Sequence, residues 1–72
     1  MRMTYSPHID AAYLYVRERG KSVRTPHIAP DVIADLDSKG RLLGIEFLHA
    51  SRHIPRRALA QAVRLPRRKK GA

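Results

Sequence analysis

Three carboxylates fall at even spacing in one short run, Asp31-Val32-Ile33-Ala34-Asp35-Leu36-Asp37. On a regular strand that spacing places Asp31, Asp35 and Asp37 on one face. Hard oxygen ligands grouped this way can bind a divalent cation, and crowded carboxylates can hold a shifted proton. The preferred reading gives each a structural task. Asp31 follows the break at Pro30, Asp35 is an outward strand charge, Asp37 serves a turn, and Glu46 pairs with a nearby arginine. His8, His27, His49 and His53 offer imidazole ligands. The four-residue step from His49 to His53 suits a metal only on one helix, and His49 is expected in a strand. No glutamate of a zinc-protease motif stands between them, while His8 and His27 adjoin prolines in turns. The nucleophile search is short: there is no cysteine, and Ser6, Ser22, Ser38 and Ser51 sit in turn or cap contexts. Glycines at 20, 40, 44 and 71 form no phosphate loop. Neither metal, cofactor nor enzymatic activity is expected.

Tyr13 and Tyr15 share a strand face beside Arg17. Aromatic residues on a sheet with flanking arginine can stack on single-stranded bases. Packing against a helix or a partner subunit is the favoured alternative, and it makes Tyr13, Tyr15, Leu42 and Leu48 candidates for a partner interface. The net charge is +9 on 72 residues, unevenly spread. Residues 1–50 carry seven Lys/Arg against six Asp/Glu, whereas residues 51–72 carry eight Lys/Arg and no acid. Arg56, Arg57, Arg64, Arg67, Arg68, Lys69 and Lys70 are therefore the candidates for contact with nucleic-acid phosphates, a sequence-blind and salt-sensitive attraction driven by counterion release. The same run could instead meet an acidic protein or anionic lipid, or simply be solvated.

These groups need elements to position them. Met1 to Tyr5 alternates with period two, and Ala11 to Arg17 repeats that pattern with strand-favouring tyrosine and valine, although the alanines and Arg17-Glu18-Arg19 would also suit a helix. Glu18-Arg19-Gly20-Lys21 reads as a hairpin loop. Ser22 to Thr25 reads as a short strand, and Pro26 and Pro30 confine His27-Ile28-Ala29 to an edge or an irregular connection. The strongest signal is Asp37-Ser38-Lys39-Gly40 between two apolar runs, a hairpin with the acid accepting turn amides and the glycine taking positive φ. On its second strand Leu43, Ile45 and Phe47 share one face, and Leu42, Gly44, Glu46 and Leu48 the other. Apolar residues on both faces predict a sheet covered by a helix on one side and a partner on the other. Ser51 as a cap and Pro55 in the first turn introduce a helix from Arg56 to Arg64 with a stripe of Ala58, Leu59, Ala62 and Val63.

The fold expected is α+β: a small antiparallel β-meander of four to five strands followed by one C-terminal α-helix. One domain spans residues 1–64, and residues 65–72 form a disordered basic tail. So small a chain, without disulfides, leans on a protein partner or on homo-oligomerisation. No apolar run spans a bilayer and Met1 to His8 lacks a signal-peptide core, so no membrane and a cytoplasmic location are expected.

The order Tyr5-Ser6-Pro7, Asp10-Ala11-Ala12-Tyr13-Leu14, Asp31 to Asp37, the turn to Gly40, Gly44-Ile45-Glu46-Phe47-Leu48 and Ala50-Ser51 resembles the bacterial family known as domain of unknown function 2283, over about residues 3–52. Ser6 stands where that family usually has aspartate, Ala12 where it usually has leucine, and the basic tail is no part of its pattern. The resemblance implies a β-meander followed by a helix and no established activity. It suggests a protein-interaction module, the antitoxin-like partner of a small toxin-like protein. The alternative from the residues is an accessory nucleic-acid-binding protein that uses the basic tail.

Overall fold

The computed structural model describes residues 1–66. It contains β1 (Arg2–Ser6), β2 (Ala11–Tyr15), β3 (His27–Ala29), β4 (Val32–Leu36), β5 (Leu42–Phe47), a 3-10 turn (Ala50–Arg52), α1 (Arg56–Gln61) and β6 (Val63–Arg64). All eight build on a single six-stranded sheet, in the order β3-β4-β5-β2-β1-β6.

The central hairpin forms as its residues dictate. Asp37 follows β4, and its carboxylate accepts the amides of Lys39 and Arg41, each at 2.9 Å, and the Arg41 Nε at 2.8 Å. Gly40 closes the turn at φ 76, a conformation glycine adopts without a Cβ penalty. From there β5 pairs β4 on one side and β2 on the other, both antiparallel. Two prolines leave β3 at the outer edge, where a missing N–H costs no ladder bond.

The order departs from a simple meander. Glu18 to Lys21 is no hairpin loop: beyond Tyr15 the chain crosses to the far edge of the sheet, because β5 already holds the free edge of β2. The amides of Val16 and Arg17 both bond the Leu43 carbonyl before the crossing, and Gly20 packs on the Leu43 side chain at φ 136. Ser22 to Thr25 forms only one isolated bridge, Arg24 to Leu36, since it lacks apolar alternation and runs into Pro26.

The C-terminal end departs further. The helix stops at Gln61, and Ala62 is extended at ψ 155. Val63–Arg64 then pairs parallel with β1, and the Leu65 amide bonds the Tyr5 carbonyl at 2.8 Å. The sheet is thus mixed, and its backbone bonding reaches one residue past β6, to Leu65. An open edge of β1 offers unpaired carbonyls, while Pro66 disfavours helix at the residue before it. Of the predicted stripe, Leu59 is 5% exposed, but Val63 is 53% exposed as an edge-strand residue. Ser51 caps no helix; it lies inside the 3-10 turn, and Pro55 precedes α1. His49 lies past β5, not in it, in the left-handed region at φ 50.

The core is one-sided. Ala12, Ala50 and Leu59 are buried together, with Met3, Tyr5, Phe47 and Ile54 packed around them. Register places Tyr5, Ala12, Phe47 and Val32 in one row, and Met3, Leu14, Ile45 and Ala34 in the next, all on the side of the helix. Among the described residues no helix is long and apolar enough to cross a membrane.

Candidate functional site

The opposite face of the sheet carries two rows of a different character. Thr4, Tyr13, Glu46 and Ile33 form one, and Arg2, Tyr15, Gly44 and Asp35 the other. Among the described residues no helix packs over them. Tyr13 crosses diagonally onto Gly44, whose missing side chain leaves room for the phenol. Its hydroxyl donates to Asp35 at 2.6 Å. Burial, and then that bond, push the Tyr13 hydroxyl well above the usual tyrosine range. Tyr15 meets Tyr13 edge-on, with centroids 4.6 Å apart. The cation beside the tyrosines is Arg2, not Arg17: β2 ends at Tyr15, and the Arg2 guanidinium lies 4.0 Å from the Tyr15 ring centroid. Glu18 holds it from the side at 2.9 and 3.1 Å. That ion pair is about half exposed and fixes the arginine more than it stabilises the fold.

Two of the predicted interface residues fall outside these rows. Leu42 lies opposite Leu36 at an irregular end of the ladder, and Leu48 sits beyond the last residue of β5. The β4–β5 ladder shifts register between Asp35 and Leu36, at the Leu42 end, whereas Leu48 lies past the regular Val32–Phe47 end.

The three aspartates do not share a face as one cluster. Asp35 receives Tyr13, Asp37 is absorbed by its turn, and Asp31 lies before β4. There Asp31 Oδ2 is 3.4 Å from His49 Nδ1 and 3.6 Å from His53 Nε2. Burial raises the Asp31 pKa, and the bonds from His49 and then His53 outweigh it, leaving it lowered. Among the described residues no three His, Asp or Glu side chains are placed to hold a metal ion. Glu46 has no ion pair among the described residues.

Asp10 has a role that composition alone does not reveal. It sits in the left-handed region at φ 52, where aspartate is among the few tolerated residues. Its carboxylate accepts the Tyr5 hydroxyl at 2.8 Å, the Ser51 hydroxyl at 2.7 Å and the Ser51 amide at 3.1 Å. Its carbonyl accepts the Ala50 amide at 2.8 Å. One residue thus fastens the β1–β2 turn to the 3-10 turn. Tyr5, Asp10 and Ser51 all stand in the motifs that carry the family resemblance, a sequence signal that they share.

Acid should loosen both aspartate-centred networks. The Ser51 hydroxyl, then that of Tyr5, hold Asp10 below the usual carboxylate range, and the Arg41 amide does the same for Asp37. A depressed carboxylate adds stability that is complete above its unfolded value, about 4, and is lost as pH falls through the folded value. Tm is expected to be level above about pH 5 and to drop below about pH 4. Asp10→Asn and Asp37→Asn should each flatten that acid limb. Thermal melts by circular dichroism check this, and an acid limb identical in both variants contradicts it.

The candidate phosphate-contacting residues separate into groups. Arg56 and Arg64 line one cleft with Tyr5 and Ser51, whereas Arg57 does not line it. Arg67, Arg68, Lys69 and Lys70, with the disorder expected of residues 67–72, lie outside the described residues.

A family model described as "Protein of unknown function (DUF2283)" matches residues 2–51. No curated protein and no solved structure gives a significant match.

Proposed function

Because the chain belongs to the DUF2283 family, whose function is unknown, its role must be read from its surfaces, and we propose that it is a protein-interaction module rather than an enzyme. The observation that carries this reading is the one-sided core. A sheet normally buries an apolar face against another layer, and among the described residues the one helix packs on the other side, where Leu59 meets Ala12 and Ala50, while no helix covers the tyrosine side. Tyr13, Tyr15 and Ile33 on that side are only partly buried. Tyrosine held rigidly by Asp35 and Arg2 supplies contact area with little entropy left to lose on binding.

The occupant of this face is an acidic protein. The eight Lys/Arg of residues 51–72 set two copies against each other and steer an acidic chain towards the molecule at long range, while the face itself, with Arg2, Asp35 and Glu46, carries both signs. In its finer form the reading makes that protein a small toxin-like partner and this chain its antitoxin-like half, in the cytoplasm of a bacterium. Affinity capture with the full-length chain, in nuclease-treated lysate of the source cell, tests the reading. The expected result is an acidic protein retained by the native chain and lost with Tyr15→Ala/Ile33→Glu. Retention unchanged by that double substitution, or capture abolished by nuclease, would overturn it.

A further inference from the structure

A second concavity lies on the helix side of the molecule, away from the tyrosine face. It encloses about 420 Å³ between the end of β1, the start of α1 and β6. That volume falls within the range of about 300–1,000 Å³ typical of small-molecule sites. Its lining is mixed: Tyr5, Pro7, Leu59 and Ala60 give it apolar surface, and Arg56 and Arg64 line the same space. Neither arginine has an acidic partner among the described residues.

The fold sets this pair in place. Arg64 stands beside Tyr5 through the parallel pairing of β6 with β1. Arg56 opens α1, which Leu59 anchors in the core. Ser51 also lines the cleft, but its hydroxyl proton and that of Tyr5 are both donated to Asp10. The two arginines are therefore the donors left for a ligand. Two planar forks match the oxygens of a phosphate, and a guanidinium pairs with phosphate by two parallel hydrogen bonds. The apolar part of the lining, at Tyr5, Pro7 and Ala60, suits an attached flat or aliphatic body, which a bare inorganic anion lacks.

We infer that this cleft binds a nucleotide, its phosphate between Arg56 and Arg64 and its base or sugar against Tyr5 and Pro7. The nucleotide is either free or one unit of a single strand. Beyond Pro66 the sequence continues with Arg67-Arg68-Lys69-Lys70, a charge run that attracts any polyanion without being part of the cleft. The inference rests on the cleft and is independent of the tyrosine face.

The test is an amide-resolved NMR titration of the full-length chain with inorganic phosphate, adenosine 5′-monophosphate and a short single-stranded DNA. The expected result is shifts at Tyr5, Ser51 and Ala60, with the mononucleotide binding more tightly than phosphate. Arg56→Gln/Arg64→Gln should weaken the mononucleotide by about tenfold or more, the loss of at least one charge-assisted hydrogen bond. Arg19→Gln/Lys21→Gln, in the crossing loop, should leave it unchanged. Arg56→Lys, which keeps the charge and loses the fork, should fall between the native chain and the double variant. A full-length chain with Gln at 67, 68, 69 and 70 separates the sources. Tighter DNA binding that this variant loses, with mononucleotide binding kept, assigns the site to a strand; DNA no tighter than mononucleotide assigns it to free nucleotide. Equal affinity in Arg56→Gln/Arg64→Gln and native protein, or mononucleotide binding lost with the tail charges alone, would overturn the inference.

Discussion

A single methyl group at position 44 should destabilise the protein by about 2–3 kcal/mol, at the upper end of what overpacking costs. Gly44 lies opposite Tyr15 in the β2–β5 ladder, with Asp35 on its other side. A Cβ there would meet the Leu14 carbonyl oxygen at 2.7 Å and the Tyr13 Cζ at 2.6 Å, as well as the Tyr13 hydroxyl. The backbone oxygen belongs to a paired strand and has little room to yield. The phenol can move only by releasing Asp35. Gly44→Ala therefore strains the ladder and removes a hydrogen bond of the tyrosine face together. Chemical denaturation measures this, and the Tyr13→Ala background separates the two parts. Removing the ring should recover about 1 kcal/mol of the Gly44→Ala cost, a coupling normal for residues in contact. A Gly44→Ala chain as stable as the native one would mean that Tyr13 does not lie over the sheet as described.

Leu59→Ala should cost about 2–5 kcal/mol, the usual range for a buried leucine. A chain of this length has only about 4–11 kcal/mol of total stability, so the loss is a large share of it. Leu59 is the one buried residue of α1. The helix has six residues, no side-chain cap and no acid in its first turn, so it has little stability of its own. Without Leu59 the helix loses its hold on Ala12 and Ala50, and β6 is left joined to the sheet by a two-residue ladder. The expected readouts are a Tm lower by about 10 °C or more and fast amide exchange at Leu65, whose bond to Tyr5 depends on β6. Slow exchange at Leu65 in Leu59→Ala would show that β6 holds without the helix.

Much of the central sheet is legible in the sequence because its signals are local. Asp37 and Gly40 specify a turn by their own side-chain and backbone chemistry, and alternation in β4 and β5 follows from it. Pro26 and Pro30 mark an edge for the same reason. What sequence does not disclose is set by partners far along the chain. That β2 pairs with β5, and not with the segment after Gly20, depends on a competition between edges that no local window contains. Arg64 reads as the end of a helix until the free edge of β1 is known to be available. The functional residues divide in the same way. Tyr13 and Tyr15 share a face as alternation requires, but Leu42 stands where the β4–β5 ladder shifts, and Leu48 lies past the end of β5. The Asp10 network joins residues 41 positions apart, and nothing in the spacing of Asp10 and Ser51 announces it.

The account depends on the tyrosine face being the surface that another protein covers. The most direct measurement places a photoreactive phenylalanine analogue at Tyr15 in the full-length chain and, separately, at Arg57 on the helix. Both are irradiated in the source cell, and the cross-linked products are identified by mass. The prediction is an acidic protein joined to position 15 and absent from position 57. Cross-links from position 57 alone, or from position 15 to a second copy of this chain, would contradict it.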